Sequence, residues 1–74
     1  MNTFKVGDYI YRDSCGIDIV QIFKIDERYH VIQINNHCTG KAGKEYRTTL
    51  TWTNNNYKLL TDELKAELLW AYSG

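Results

Sequence analysis

Apolar side chains concentrate in two runs, Ile17 to Ile25 and Tyr29 to Asn35, separated by the polar stretch Asp26-Glu27-Arg28. Both runs are rich in β-branched and aromatic residues, and the break between them is short. That pattern predicts a β-hairpin. Within the first run Ile17, Ile19, Phe23 and Ile25 share one parity, while Val20 and Ile22 take the other. A strand that is apolar on both sides is either covered on its second face or kinked by a bulge. A small barrel does both.

The remaining segments read as further strands and turns. Phe4 to Arg12 reads as a strand interrupted by a Gly7-Asp8 turn, in which Gly7 permits a positive φ and Asp8 can bond its own downstream backbone. Asp13 to Gly16 forms a second turn. Residues 36–45 show no periodicity and contain Gly40 and Gly43, so a mobile loop is expected. Tyr46, Thr48, Leu50 and Trp52 then alternate with Arg47, Thr49, Thr51 and Thr53, which predicts a strand over 46–53. Asn54-Asn55-Asn56 forms a turn, and Tyr57 to Leu60 is a short last strand.

Thr61 is a good helix N-cap, and Asp62 and Glu63 favour the positive end of the helix dipole. A helix is expected from Asp62 to Tyr72. At about 100° per residue, Leu64, Leu68, Ala71 and Tyr72 share one side. Ala66, Leu69 and Trp70 form a second apolar stripe. One stripe can cover a barrel. The second either lies in a groove or presents Trp70 as an interface anchor.

Length and composition narrow the picture. Seventy-four residues make one domain, and a chain this short buries about 60–65% of its unfolded surface. Its stability is marginal without a staple or partner. A hydrophobic content of 43% excludes a disordered chain. Nine basic and nine acidic residues cancel, which argues against global steering toward a polyanion but leaves room for a local basic face. No run is long enough to span a membrane, and the N-terminus carries no charged leader. The expected location is cytoplasmic.

Two segments carry a family resemblance. Phe4-Lys5-Val6-Gly7-Asp8-Tyr9-Ile10 resembles the F-x-x-G-D-x-I segment of SH3-like barrels. Asn56-Tyr57-Lys58-Leu59-Leu60 is similar to the way such domains close through a short helical turn into a last strand. The resemblance covers residues 4–60 as strand order. It implies a mainly β chain: a small antiparallel SH3-like barrel of about five strands over 1–60, with a C-terminal α-helix over 61–74 packed on it. Eukaryotic SH3 domains use a leading aromatic strand and a Pro that are absent here, so polyproline binding does not carry over. The chain is more similar to the KOW and Tudor types found in bacterial and phage accessory proteins, which mostly bind nucleic acid or other proteins.

Catalytic signatures are missing. Cys15, His30, His37 and Cys38 are zinc-ligating types, but they lack C-x₂-C spacing, and His37 and Cys38 would point apart in a strand. The expectation is two free thiols and no metal or cofactor; a Cys15–Cys38 disulfide would require an oxidising compartment. Gly40 to Lys44 fails as a P-loop because Cys38 stands where its first Gly belongs and Glu45 follows the Lys. Tyr9, Tyr11, Tyr29, Tyr46 and Tyr57 are shared between core, rim and a stacking surface.

The leading expectation is a non-enzymatic interaction module. It would grip a protein partner, a host protein or a second copy of itself, through Leu69, Trp70, Ala66 and Tyr11. Its size and neutrality resemble the small proteins that phages use to occlude host or defence proteins. The alternative is a nucleic-acid-binding barrel using Lys41, Lys44 and Arg47 with neighbouring tyrosines.

Overall fold

The computed structural model describes residues 3–38, 40–64 and 66–67. Within them the chain is mainly β, with five antiparallel strands in one sheet: β1 (Tyr9–Asp13), β2 (Ile17–Ile25), β3 (Arg28–Gln33), β4 (Glu45–Thr49) and β5 (Lys58–Leu59). A short helix, α1 (Leu50–Asn56), joins β4 to β5. The sheet order is β4-β3-β2-β1-β5, so four strands meander and the last returns to the first.

The predicted hairpin forms at β2–β3. Its turn closes with the Asp26 N–H donating to the Arg28 carbonyl at 3.0 Å, and Asp26 Oδ1 accepts from the Arg28 N–H at 2.9 Å. Pairing runs from Val20↔Gln33 to Ile22↔Val31, slips one residue, and resumes at Lys24↔His30 and Ile25↔Tyr29. Phe23 is the extra residue. The bulge explains the parity change from Ile22 to Ile25: Val20 and Ile22 face the core before it, and Ile25 packs against the core after it, while Ile19, on the other parity before the bulge, is buried as well. Phe23 is left 44% exposed.

Cross-strand pairs build the core. Ile10 lies opposite Val20 and Ile22 opposite Val31, and all four are buried. Phe4 caps this stack against the ring of Tyr29, with centroids 5.9 Å apart. The segment before β1 is a turn rather than the expected extension of the strand: Lys5 N–H donates to Asp8 Oδ2 at 2.8 Å, and the Gly7 N–H reaches the Ile22 carbonyl at 2.7 Å. Asp8 thus serves the backbone upstream of it, and Gly7 takes a φ of 94°.

The strand predicted over 46–53 is overturned beyond Thr49. β4 pairs with β3 only as far as Arg28↔Thr49, because β3 begins at Arg28. Without a partner strand, the backbone from Leu50 onward satisfies its hydrogen bonds internally as a helix. Leu50, Thr53 and Tyr57, spaced three and four apart, face the core. The polar Thr53 hides this period inside an apparent alternation. Asn54, Asn55 and Asn56 accordingly form the last turn of α1 instead of a hairpin turn.

Seven helical residues span about 10 Å, whereas a flat five-stranded sheet would hold β4 and β5 about 19 Å apart. The sheet therefore curls. Leu60 N–H completes the return by donating to the Tyr9 carbonyl at 2.8 Å. After it, Thr61 Oγ1 accepts from Leu64 N–H at 3.2 Å, the expected N-cap, and residues 62–64 and 66–67 are helical. The remainder of the predicted helix, with Leu69 and Trp70, lies outside the described residues.

Candidate functional site

The core face does not stay apolar to the end of the strands. Along β1 it passes from Ile10 to Arg12, along β2 from Val20 to Asp18, and along β3 from Val31 to Gln33. Register places these three polar residues together, since Arg12 pairs with Asp18 and Val20 with Gln33. One end of the core is thus a polar network.

Asp18 is its centre. The side chain is 0% exposed, and three donors meet its carboxylate: Gln33 Nε2 at 2.7 Å, Tyr57 Oη at 2.8 Å and Arg12 Nε at 3.0 Å. Burial alone would raise its pKa, but these three hydrogen bonds outweigh burial and hold the carboxyl below the usual carboxylate range. The Tyr57 phenol is pushed up, first by burial and then by its bond to Asp18. Gln33 Oε1 accepts from Tyr46 Oη at 3.1 Å, which extends the network to β4. Asn35 secures the strand ends, with Oδ1 accepting from the Ile19 N–H at 3.0 Å and Nδ2 donating to the Ile17 carbonyl at 2.7 Å.

Above this floor opens a cleft of about 300 Å³. Arg12, Lys44 and Arg47 supply its charge, and Tyr46, Trp52 and Tyr57 supply its aromatic walls. The Arg12 guanidinium carbon lies 5.1 Å from the Trp52 ring centroid and 5.5 Å from that of Tyr57. With Nε held by Asp18 and its plane flanked by two rings, the guanidinium is fixed before any ligand arrives. Trp52 remains 43% exposed and meets Tyr57 edge-on at 5.9 Å. Lys44 Nζ lies 5.9 Å from the Tyr46 ring centroid. Thr48 Oγ1, on the same wall, is buried with no hydrogen-bond partner among the described residues.

The sequence-predicted site residues are partly assembled here. Lys44 and Arg47 share the cleft, whereas Lys41 stays on the exposed loop, with its carbonyl accepting from the Lys44 N–H at 3.1 Å. That loop is not featureless: His37 and Gly40 form a bridge, and Gly43 N–H donates to the Gln33 carbonyl at 2.7 Å. Tyr11 is half-buried on β1, opposite Ile19 and Lys58, and Ala66 is exposed. Leu69 and Trp70 lie outside the described residues.

Arg12, Asp18, Gln33 and Trp52 escaped sequence reasoning. The available signal was the period-2 continuation of each apolar face into one polar residue, but register alone shows that the three continuations coincide.

Cys15 and Cys38 are both free and exposed. His37 and Cys38 do not point apart, because the chain turns at Cys38 instead of running extended; the sulfur lies 3.8 Å from His37 Nδ1. Among the described residues, no three His, Cys, Asp or Glu side chains are grouped to hold a metal ion. No helix among them is long and apolar enough to cross a membrane. No protein-family model, curated protein or solved structure matches the chain.

Proposed function

We propose that the chain is a non-enzymatic binding module that takes an acidic segment of a protein partner into the Arg12 cleft. The observation that carries this reading is the guanidinium of Arg12, locked between Trp52 and Tyr57 by a fully buried carboxylate, with Lys44 and Arg47 beside it. A prearranged fork of donors suits a carboxylate, and the half-exposed indole beside it suits an apolar neighbour of that carboxylate. Trp52 thereby takes the anchoring role that sequence reasoning assigned to Trp70. A module of this kind acts by steric occlusion: the anchor supplies affinity, and the rim charges supply orientation. The SH3-like reading of the sheet is a proposal on the same footing, supported by the return of β5 to β1 after α1.

Nucleic acid is the second reading, favoured by the presence of Lys44 and Arg47 in one cleft with aromatic side chains. It is weaker, because stacking platforms need uncovered rings. Here Arg12 lies against both Trp52 and Tyr57, and Lys44 lies against Tyr46.

Titrating ¹⁵N-labelled protein with an acidic, aromatic-containing peptide and with a mixed single-stranded oligonucleotide separates the readings. The expected result is that the peptide moves the Arg12 Nε–H and Trp52 indole N–H signals, and that Lys44→Glu/Arg47→Glu abolishes the shifts while the fold persists. Stronger binding of the oligonucleotide, with a steep salt dependence, would transfer the site to nucleic acid. Silence toward both ligands at low salt would remove the cleft as a binding site.

A further inference from the structure

Two free thiols stand at the rim formed by the strand connections. Cys15 lies in the β1–β2 turn with a φ of 58°, Cys38 lies in the β3–β4 loop, and both are exposed. Their two connections are bonded to each other. His37, the residue before Cys38, donates from Nε2 to the carbonyl of Ser14, the residue before Cys15, at 2.5 Å. The β1–β2 turn is itself held by Ser14 N–H donating to the Gly16 carbonyl at 3.0 Å. The imidazole also contacts the Cys38 sulfur at 3.8 Å, so one side chain braces both cysteine-bearing loops. The brace sets the two cysteine-bearing connections side by side, and the neighbouring Cys15 raises the Cys38 pKa above the ordinary thiol value.

We infer that Cys15 and Cys38 form a site of reversible oxidation, closing into an intramolecular disulfide that staples the β1–β2 turn to the β3–β4 loop. The co-reactant is a small-molecule disulfide, for which glutathione disulfide is the probe. Cys15, exposed in the β1–β2 turn, attacks one sulfur of the reagent as a thiolate. The reagent's S–S bond breaks, a mixed disulfide forms at Cys15, and the first glutathione thiolate leaves and takes up a proton. Cys38 then gives up its proton and attacks the Cys15 sulfur, and the second glutathione departs as a thiol. Two electrons pass from the protein to the reagent, and the two protons lost by the cysteines end on the two glutathiones.

The His37–Ser14 bond holds the two loops together, which makes closure intramolecular and favours it over capture of a second glutathione. The disulfide joins two connections that are already bonded to each other, so it acts mainly by restricting the unfolded chain. The inference stands whether or not the Arg12 cleft binds a ligand.

The full chain, incubated at several protein concentrations in mixtures of reduced and oxidised glutathione, is alkylated and its intact mass measured. Both thiols are expected to become inaccessible together, with no retained glutathione, no dependence on protein concentration and full recovery on reduction. The oxidised chain should melt higher by roughly 10–20 °C. Cys38→Ser should stop at a glutathione adduct on Cys15. Adducts that persist on both cysteines of the natural chain, covalent dimers, or two alkylatable thiols at every redox ratio would each overturn the inference.

Discussion

The hydroxyl of Tyr29 donates to Asn54 Oδ1 at 2.6 Å, linking the middle of the sheet to α1 across 25 residues of sequence. The same oxygen accepts from the Thr3 N–H at 3.2 Å and the Phe4 N–H at 3.4 Å. One fully buried phenol therefore positions both the N-terminal segment and the helix that carries Trp52. Tyr29→Phe keeps the ring but strands these polar groups, at a cost of about 1–3 kcal/mol. Urea unfolding of Tyr29→Phe, Asn54→Ala and the double variant should show a coupling of about 1 kcal/mol; strictly additive losses would mean that the bond does not hold the helix.

Asp18 sets a pH dependence. Its pKa is lower in the folded chain than the ordinary carboxylate value expected when unfolded, so the unfolded state binds its proton first as the solution is acidified. Its contribution is complete above about pH 5 and is lost as pH falls below about 4 and then through the folded pKa. Asp18→Asn should destabilise the chain by about 3 kcal/mol near neutrality, because Arg12 loses its counter-charge, and should flatten the acid limb of stability against pH. An unchanged acid limb would show that another carboxylate dominates.

Thr53 is fully buried on α1, and its Oγ1 has no hydrogen-bond partner among the described residues. Replacing the hydroxyl by a methyl removes a desolvated polar group while keeping nearly the same shape. Thr53→Val should raise stability by about 1 kcal/mol in chemical denaturation. A loss of similar size would reveal a partner for the hydroxyl.

Gly16 holds a φ of 92° with open space where a Cβ would stand. Gly16→Ala therefore meets no clash and isolates the backbone term, a loss of about 1–2 kcal/mol. Thermal melts of this variant should fall by several degrees; an unchanged melting temperature would mean that the turn adopts another conformation.

The hairpin and the short last strand were legible because each rests on local pattern: alternation, a short polar break, or a run ended by turn residues. The mixed parity of Ile17 to Ile25 left a covered second face and a bulge both open, and register places a bulge between Ile22 and Lys24. Trp52 was misplaced for the opposite reason. Alternation from Tyr46 to Thr53 satisfies a strand template perfectly well, and nothing within those residues says that the partner strand ends at Arg28.

The amino-acid order by itself determined the β2–β3 hairpin, the turns at Gly7-Asp8 and Asp13 to Gly16 and the mainly β class, since period and turn chemistry act between near neighbours. Tertiary structure alone decided that Thr49 is the last residue of β4, that Arg12, Asp18 and Gln33 converge under Trp52, and that the turn carrying Cys15 is bonded to the loop carrying Cys38. Each of those outcomes depends on which strand ends lie side by side. That choice is made by curling the whole sheet around one shared core, not by any single segment.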